Sequence, residues 1–184
     1  MMKYAEKTVL MDKATAVRAV SRMAYEIVER NKGTENLAII GIQTKGAMLA
    51  RLLAMRIGEI EGMNVERGSL DITFYRDDLT RLSEHPIVAG SDIAFPIEDK
   101  KIILVDDVLY SGRTIRAAME ELFDMGRPAK IELAVLVDRG GRELPIRADY
   151  VGREAPASHD EYIDTVINEN GIEKVSICGK GVNK

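Results

Sequence analysis

The sequence predicts an α/β fold with a mostly parallel central sheet flanked by helices, and three features point to it. The runs Leu37 to Ile42 and Ile102 to Val105 are apolar throughout and rich in β-branched residues, which is how a strand covered on both faces reads. Segments of helical spacing alternate with these runs, the order that builds βαβ units. The 184 residues are 46% hydrophobic and 30% charged, apolar enough to bury a core and too apolar for disorder. No internal repeat, low-complexity tract or Pro/Gly/Ser linker divides the chain, so residues 1–184 read as a single domain.

After a short extended start, Asp12 suits the N-cap of a helix from about Lys13 to Arg30, closed by Asn31, Lys32 and Gly33. Val17, Val20, Ala24, Ile27 and Val28 recur at helical spacing and are expected to face inward. The strand Leu37 to Ile42 comes next, and the polar turn Gln43-Thr44-Lys45-Gly46 opens an Ala-, Leu- and Met-rich helix to about Glu59. Residues 69–76 alternate like a strand. Residues 77–99 form a polar stretch whose length suits a lid or binding loop better than a plain connection. A strand from Lys101 to Asp106, a loop, a helix from Thr114 to about Met125 and a strand from Ile131 to Val137 complete the alternation. Met48, Met55, Met119 and Met125 are expected as core filler, and Cys178 as a small buried side chain on a late strand.

Several function classes are excluded at this point. A single cysteine rules out an intramolecular disulfide framework and any multi-thiolate metal site. His85 and His159 are isolated, with no partner at metal-ligand spacing. The first residues lack a secretory signal, and no run reaches the about 18 apolar residues of a membrane span, so a cytoplasmic protein is expected. The formal net charge of −4 argues against a general nucleic-acid coat, since that affinity comes from neutralising phosphates, but it leaves room for a local basic face.

Ligands of open α/β sheets sit beyond the carboxyl ends of the strands, and three loops qualify. In Ile102-Ile103-Leu104-Val105-Asp106-Asp107-Val108-Leu109-Tyr110-Ser111-Gly112-Arg113-Thr114 a buried strand delivers two carboxylates and then a small-residue loop that feeds a helix. Gly112 permits close backbone approach, Ser111 and Thr114 donate hydroxyls, and the helix start presents unpaired N–H groups, the parts of a phosphate cradle. A phosphate cradle beside two acids makes sense for a ligand carrying both phosphate and hydroxyls, or magnesium. Two other readings stand beside it: acids that solvate a loop or cap a helix, and the acidic pocket of a response-regulator-like receiver. A receiver places its pair after an early strand, and Ser-Gly-Arg-Thr would then have no role.

The second loop, Gly41-Ile42-Gln43-Thr44-Lys45-Gly46, can hold a second anion, although such turns are also ordinary helix starts. The third, Asp71 to Asp78 with the polar stretch behind it, reads alone as a charged hairpin tip.

Taken together, these segments resemble the type I phosphoribosyltransferases, and the resemblance runs from about Leu10 to Gly152. It implies that family's fold, with a small hood formed by the C-terminal segment, about 150–184, and an N-terminal contribution, and a lid at about 75–99. It implies that Asp106 and Asp107 face the ribose hydroxyls of 5-phosphoribosyl-1-pyrophosphate (PRPP), with Val105, Val108 and Leu109 beside them and Tyr110, Ser111, Gly112, Arg113 and Thr114 around the 5-phosphate. Thr44 and Lys45 would bind pyrophosphate, often through a cis non-proline peptide in this family. Arg76 in the lid would meet the leaving charge, and magnesium would arrive with PRPP near Asp106 and Asp107 with few direct protein ligands.

The acceptor is implied by a more specific string, Asp138-Arg139-Gly140-Gly141-Arg142-Glu143-Leu144-Pro145-Ile146-Arg147-Ala148-Asp149-Tyr150. It is similar to members of the family that make UMP from uracil and also bind a hairpin of pyrimidine-operon mRNA as attenuators responsive to UMP and UTP. There Asp138 and Arg139 line the base side of the pocket. Arg18, Ser21, Arg22 and Tyr25, on one side of the first helix, with Arg142 and Arg147, would meet RNA; Tyr25 stands where some relatives have histidine, and its ring can still stack on a base. Without the resemblance, Arg18 and Arg22 read as a solvated face paired with Glu26 and Glu29. Self-association into a homodimer or larger homo-oligomer is expected, because one protomer's basic face is small.

Overall fold

The structure is a computed structural model and describes residues 4–72 and 90–180. Strand β1 (Tyr4–Asp12) leads into helix α1 (Lys13–Asn31), where Asp12 is the cap: its carboxylate accepts the Thr15 N–H at 2.7 Å. The helix ends in left-handed Lys32, whose N–H returns to the Glu29 carbonyl at 3.2 Å while Gly33 N–H returns to Val28 at 2.9 Å. Ala16, Ala19, Val20, Met23, Ala24 and Ile27 form its buried stripe. Val17, expected to face inward, is 54% exposed, because it falls on the outer edge of that stripe.

The large sheet is built as the alternation predicts. Strands β2 (Leu37–Ile42), β3 (Glu66–Leu70), β4 (Lys101–Leu109), β5 (Lys130–Asp138) and β6 (Tyr150–Glu154) lie in the order β3-β2-β4-β5-β6, every neighbour pair parallel. Helices α2 (Lys45–Glu61) and α3 (Arg113–Met125) connect them. One apolar cluster joins α1, α2 and the smaller sheet to one face through Ile39, Ile103 and Val105; the other joins α3, Ile72 and Ile97 to the opposite face through Ile40, Ile102 and Leu104. All six residues of β2 are buried, as a strand covered twice requires.

Strand β7 (Glu161–Asn168) and strand β8 (Gly171–Lys180) form a hairpin, and β1 pairs with β8, giving a three-stranded antiparallel sheet of order β1-β8-β7. Residues 150–154, expected to belong to the C-terminal hood segment, instead join the large sheet as β6, in parallel register with β5. The strand expected at 69–76 is placed earlier, at Glu66–Leu70, because its parallel partner β2 ends at Ile42 opposite Leu70. Residues 73–76 lie outside the described residues; beyond them Asp92 makes a single antiparallel bridge to Ser69. Met55 and Met125 are exposed rather than core filler, whereas Cys178 is buried in β8 as expected. Among the described residues no helix is long and apolar enough to cross a membrane.

Two polar devices lock the layers. Buried Glu132 on β5 accepts hydrogen bonds from Asn31 at the end of α1 and from the Tyr150 hydroxyl on β6, each at 2.8 Å, and pairs with Lys130. Burial pushes this carboxylate up, but those bonds hold it below its ordinary pKa, and the phenol of Tyr150 is raised in turn. Glu161, at the start of β7, accepts the Ser158 N–H at 2.9 Å and the Lys7 ammonium at 3.0 Å, and these bonds bring its pKa down to about 2. A depressed carboxylate stabilises the fold above its unfolded pKa and ceases to do so as pH falls through the folded one. The stability difference between wild type and Glu161→Gln, read from urea midpoints, is therefore expected to be constant near neutrality and to shrink between about pH 4.5 and pH 2.

Candidate active site

Parallel register carries the ends of β2, β4 and β5 to one edge of the sheet. Asp106 and Asp107, expected at the end of a strand running from Lys101 to Asp106, lie inside β4, which continues to pair with β5 through Val108↔Val137 and Leu109↔Asp138. Their placement is rigid for that reason. Asp106 is 8% exposed, and its Oδ1 accepts the Asp107 N–H at 2.9 Å. Strand alternation sets Asp107 on the face of Ile103 and Val105, where Thr165 of β7 donates its hydroxyl to Asp107 Oδ2.

Tyr110, Ser111 and Gly112 make the turn from β4 to α3. Gly112 has φ of 92°, a left-handed conformation that favours glycine, and a Cβ there would press on the Ile146 side chain at 3.3 Å. Gly112 gives helix α3 no side-chain cap, and its first turn holds no acid. The Arg113 N–H reaches Ser111 Oγ at 3.3 Å, and the positive end of the helix otherwise faces outward for a ligand, with Thr114 in that turn. Arg113 turns outward to Glu143 at 2.7 Å.

The Gln43-Thr44-Lys45 turn wraps the end of β2, and its Gln43–Thr44 peptide is cis. Two close approaches fix it. A Cβ on Gly41 would stand 2.4 Å from the Gly46 carbonyl, and a Cβ on Gly46 would stand 2.6 Å from the Val105 carbonyl. The loop thus packs directly on the strand that carries the acids. Gln43 N–H donates to Leu70 at 2.8 Å, and the Lys45 ammonium lies 3.5 Å from Asp164 of β7.

At the end of β5, the Asp138 carboxylate accepts the Gly140 N–H at 2.9 Å and the Arg142 guanidinium. Arg142 also donates to the carbonyls of Ile146 and Tyr110, each at 2.9 Å, so it braces this loop against the β4 turn. Arg139, 7% exposed, donates to the Ser158 and Glu161 carbonyls at 2.9 and 2.6 Å and stacks 3.9 Å above the Tyr110 ring. Both residues look inward, an arrangement that their place in a Gly-rich loop conceals in the sequence.

On the outer side of α1, Arg22 donates to the carbonyls of Val151 and Gly152 at 3.0 and 2.7 Å and pairs with Glu26 at 2.9 Å. Arg18 is exposed, Tyr25 is exposed beneath Arg56, and Ser21 is partly buried beside them. Arg147 shares a surface hollow of about 350 Å³ with Arg30 and Asp149, which places it beside the C-terminal part of α1. Arg30, not singled out from the sequence, stacks on Tyr150 and pairs with Asp149 at 3.2 Å. Arg76 lies outside the described residues.

The donor set suits magnesium carried by a ligand: two strand carboxylates and neighbouring hydroxyls are hard oxygen donors, and magnesium keeps most of its own waters. The thiol and imidazole donors of the described residues lie elsewhere, with Cys178 in β8 and His159 before β7.

Comparison with known proteins agrees with this geometry. The family described as phosphoribosyl transferase domain matches residues 9–166. A protein of Acetivibrio thermocellus named bifunctional protein PyrR is 55% identical over 180 residues, covering 96% of this chain and 98% of the relative. A Bacillus mycoides protein of the same name is 57% identical over 178 residues, covering 95% and 99%. Among solved structures, a hypoxanthine-guanine phosphoribosyltransferase of Bacillus anthracis superposes with a TM-score of 0.69 at 20% identity, covering 94% of this chain and 98% of the other. A hypoxanthine phosphoribosyltransferase of Trypanosoma cruzi does so with 0.70 at 18% identity, covering 96% and 98%. At those identities the structures speak to the fold alone.

Proposed function

This chain belongs to the phosphoribosyl transferase family, and from that premise we propose that it converts uracil and PRPP to UMP and pyrophosphate and also binds a hairpin of pyrimidine-operon mRNA, as an attenuation regulator responsive to uridine nucleotides. The observation that carries the catalytic half is the apposition of two strand-borne acids, an uncapped helix start and the Thr44–Lys45 turn at one sheet edge. These match the three parts of PRPP: ribose hydroxyls, 5-phosphate and pyrophosphate.

In this reading the uracil ring nitrogen displaces pyrophosphate from ribose C1 while positive charge develops on the sugar ring. Catalysis is positioning and electrostatics, with no protein nucleophile. Asp106 and Asp107 hold the ribose, the amides of residues 111 to 114 hold the 5-phosphate, and Thr44, Lys45 and Arg76 meet the leaving charge. Magnesium, entering with PRPP near Asp106 and Asp107, neutralises pyrophosphate charge. Asp138 and Arg139 define the base side, and the small sheet acts as the hood. Of the lid expected at about 75–99, residues 92–97 instead dock on the large sheet through the Asp92–Ser69 bridge and buried Ile97. The water-excluding part is assigned to residues 75–89, which lie outside the described residues.

An assay of the four bases uracil, hypoxanthine, guanine and adenine with magnesium-PRPP tests the acceptor. UMP formation is expected, and turnover of a purine but not uracil overturns the choice. Asp107→Asn is expected to lower kcat/KM by about 10- to 100-fold, the loss of a charge-assisted bond to the ribose. If the wild type binds UMP but forms none from uracil, the chain is a nucleotide-sensing regulator instead.

For the RNA half we assign the face of Arg18, Ser21, Arg22, Tyr25 and Arg147, with Arg142 supporting the loop that carries Arg147. The hydrogen bonds of Arg22 to β6 support this, because they draw the helix and the strand after Arg147 into one surface. Arg147→Ala is expected to weaken hairpin binding and to reduce the slope of log K against log salt by about 1, measured by filter binding at several salt concentrations. A salt-independent affinity contradicts the assignment. Two such faces in a homo-oligomer would widen the surface; sedimentation at working concentration reports this, and a strict monomer counts against it.

A further inference from the structure

We propose that Thr165, on the β7 strand of the small sheet, is a positioning residue for phosphoribosyl transfer, acting through Asp107. This deepens the catalytic reading above and rests on it.

The Thr165 side chain is 1% exposed, and its hydroxyl donates to Asp107 Oδ2 across 58 residues of sequence. A carboxylate offers two oxygens and turns readily about its last bond. With Oδ2 held by a fixed donor, the plane of the group is set and Oδ1 is left for a sugar hydroxyl. The donor itself cannot follow a wandering carboxylate, because β7 is anchored around it. Thr165 pairs with Val175 and Asp164 with Ser176 in the antiparallel ladder, and Asp164 also meets Lys45 at 3.5 Å. At the head of β7, Arg139 grips the Ser158 and Glu161 carbonyls. The small sheet therefore reaches the acidic pair and the Thr44–Lys45 turn from adjacent residues. A preorganised carboxylate gives up no rotational freedom when the sugar binds, and this favours binding and transfer alike.

A threonine kept only to fill space in a buried strand could be replaced by valine, which has the same shape. A threonine that aims a carboxylate could not. Thr165→Val is expected to raise KM for PRPP and the dissociation constant of UMP by about tenfold, in line with loss of one bond to a charged group. KM for uracil and the thermal midpoint stay near wild type. Thr165→Ser, which restores the hydroxyl, is expected to recover most of the PRPP affinity.

Steady-state kinetics, calorimetric titration with magnesium-PRPP and UMP, and thermal unfolding of the three proteins decide the matter. Wild-type PRPP and UMP affinity in Thr165→Val overturns the proposal, and so does equal impairment of both variants accompanied by a lowered midpoint. If the wild type forms no UMP yet binds PRPP, the catalytic reading fails alone and the titrations still judge Thr165. If the wild type binds neither ligand, both fall.

Discussion

Gly46→Ala is expected to lower kcat/KM for PRPP by two to three orders of magnitude. The added Cβ would stand 2.6 Å from the Val105 carbonyl oxygen, 3.1 Å from Asp106 Cα and 3.2 Å from Asp106 Oδ1. Two of those atoms are backbone of a central strand hydrogen-bonded on both sides, so no side chain can swing away. Either the start of α2 retreats, carrying Thr44 and Lys45 with it, or β4 yields and the acids move. A displacement of about 1 Å at a reacting centre costs on the order of 100-fold, and here two subsites are disturbed together. Overpacking also costs about 1–3 kcal/mol of stability, which thermal unfolding measures separately. Gly62→Ala provides the contrast. It closes α2 with φ of 70° and no atom within 4 Å of a Cβ, so it carries a conformational penalty of about 1 kcal/mol without touching the site. Steady-state kinetics of both variants test the argument, and Gly46→Ala within threefold of wild type would refute it.

The contrast between those glycines marks how far sequence reasoning reaches. Local patterns were legible because local physics writes them. Asp12 caps α1, the run Leu37–Ile42 is one buried strand to the residue, and the segment from Ile102 to Thr114 is a strand, a turn and an uncapped helix start. What stayed hidden depends on partners far away in the chain. The strand β4 extends three residues past Asp106 because β5 continues beside it, and nothing within β4 announces that. Val17 and Met55 match helical periodicity but sit at the rim of a stripe whose centre is set by the packing of α1 on α2 and the sheet. Residues 150–154 carry no sign that they belong with the large sheet. Thr165 looks like any β-branched residue of an alternating strand, and only the placement of the small sheet brings it to Asp107. One signal was present and unused: Asn170-Gly171, a hairpin dipeptide, follows Asn168-Glu169 at the β7–β8 reversal, where Asn170 N–H bonds the Asn168 side chain at 2.8 Å.

Arg139→Met is expected to destabilise the protein by about 3 kcal/mol and to lower its thermal midpoint by roughly 6–12 °C. The guanidinium is 7% exposed and holds three things at once: the Tyr110 ring at 3.9 Å, and the Ser158 and Glu161 carbonyls at the head of β7. Methionine keeps the apolar bulk, so the loss isolates the polar contacts. The two carbonyls at the head of β7 forfeit their donor, and the cation–π contact disappears. The same arginine is assigned to the base side of the pocket by family resemblance, and the two roles predict different measurements. If the side chain acts on uracil directly, KM for uracil rises while the thermal midpoint stays. If it braces the hood, the midpoint falls and the losses in uracil and PRPP affinity move together, because β7 also carries Asp164 to Lys45 and Thr165 to Asp107. The geometry favours the brace, since the guanidinium holds the protein's own ring and backbone carbonyls and, among the described residues, its buried Nε meets no acceptor. Thermal unfolding with and without UMP separates the outcomes further. A ligand that binds only the docked hood is expected to shift the midpoint of Arg139→Met less than that of wild type, its affinity being reduced by the undocked fraction. An unchanged midpoint with a raised KM for uracil alone would return Arg139 to the base.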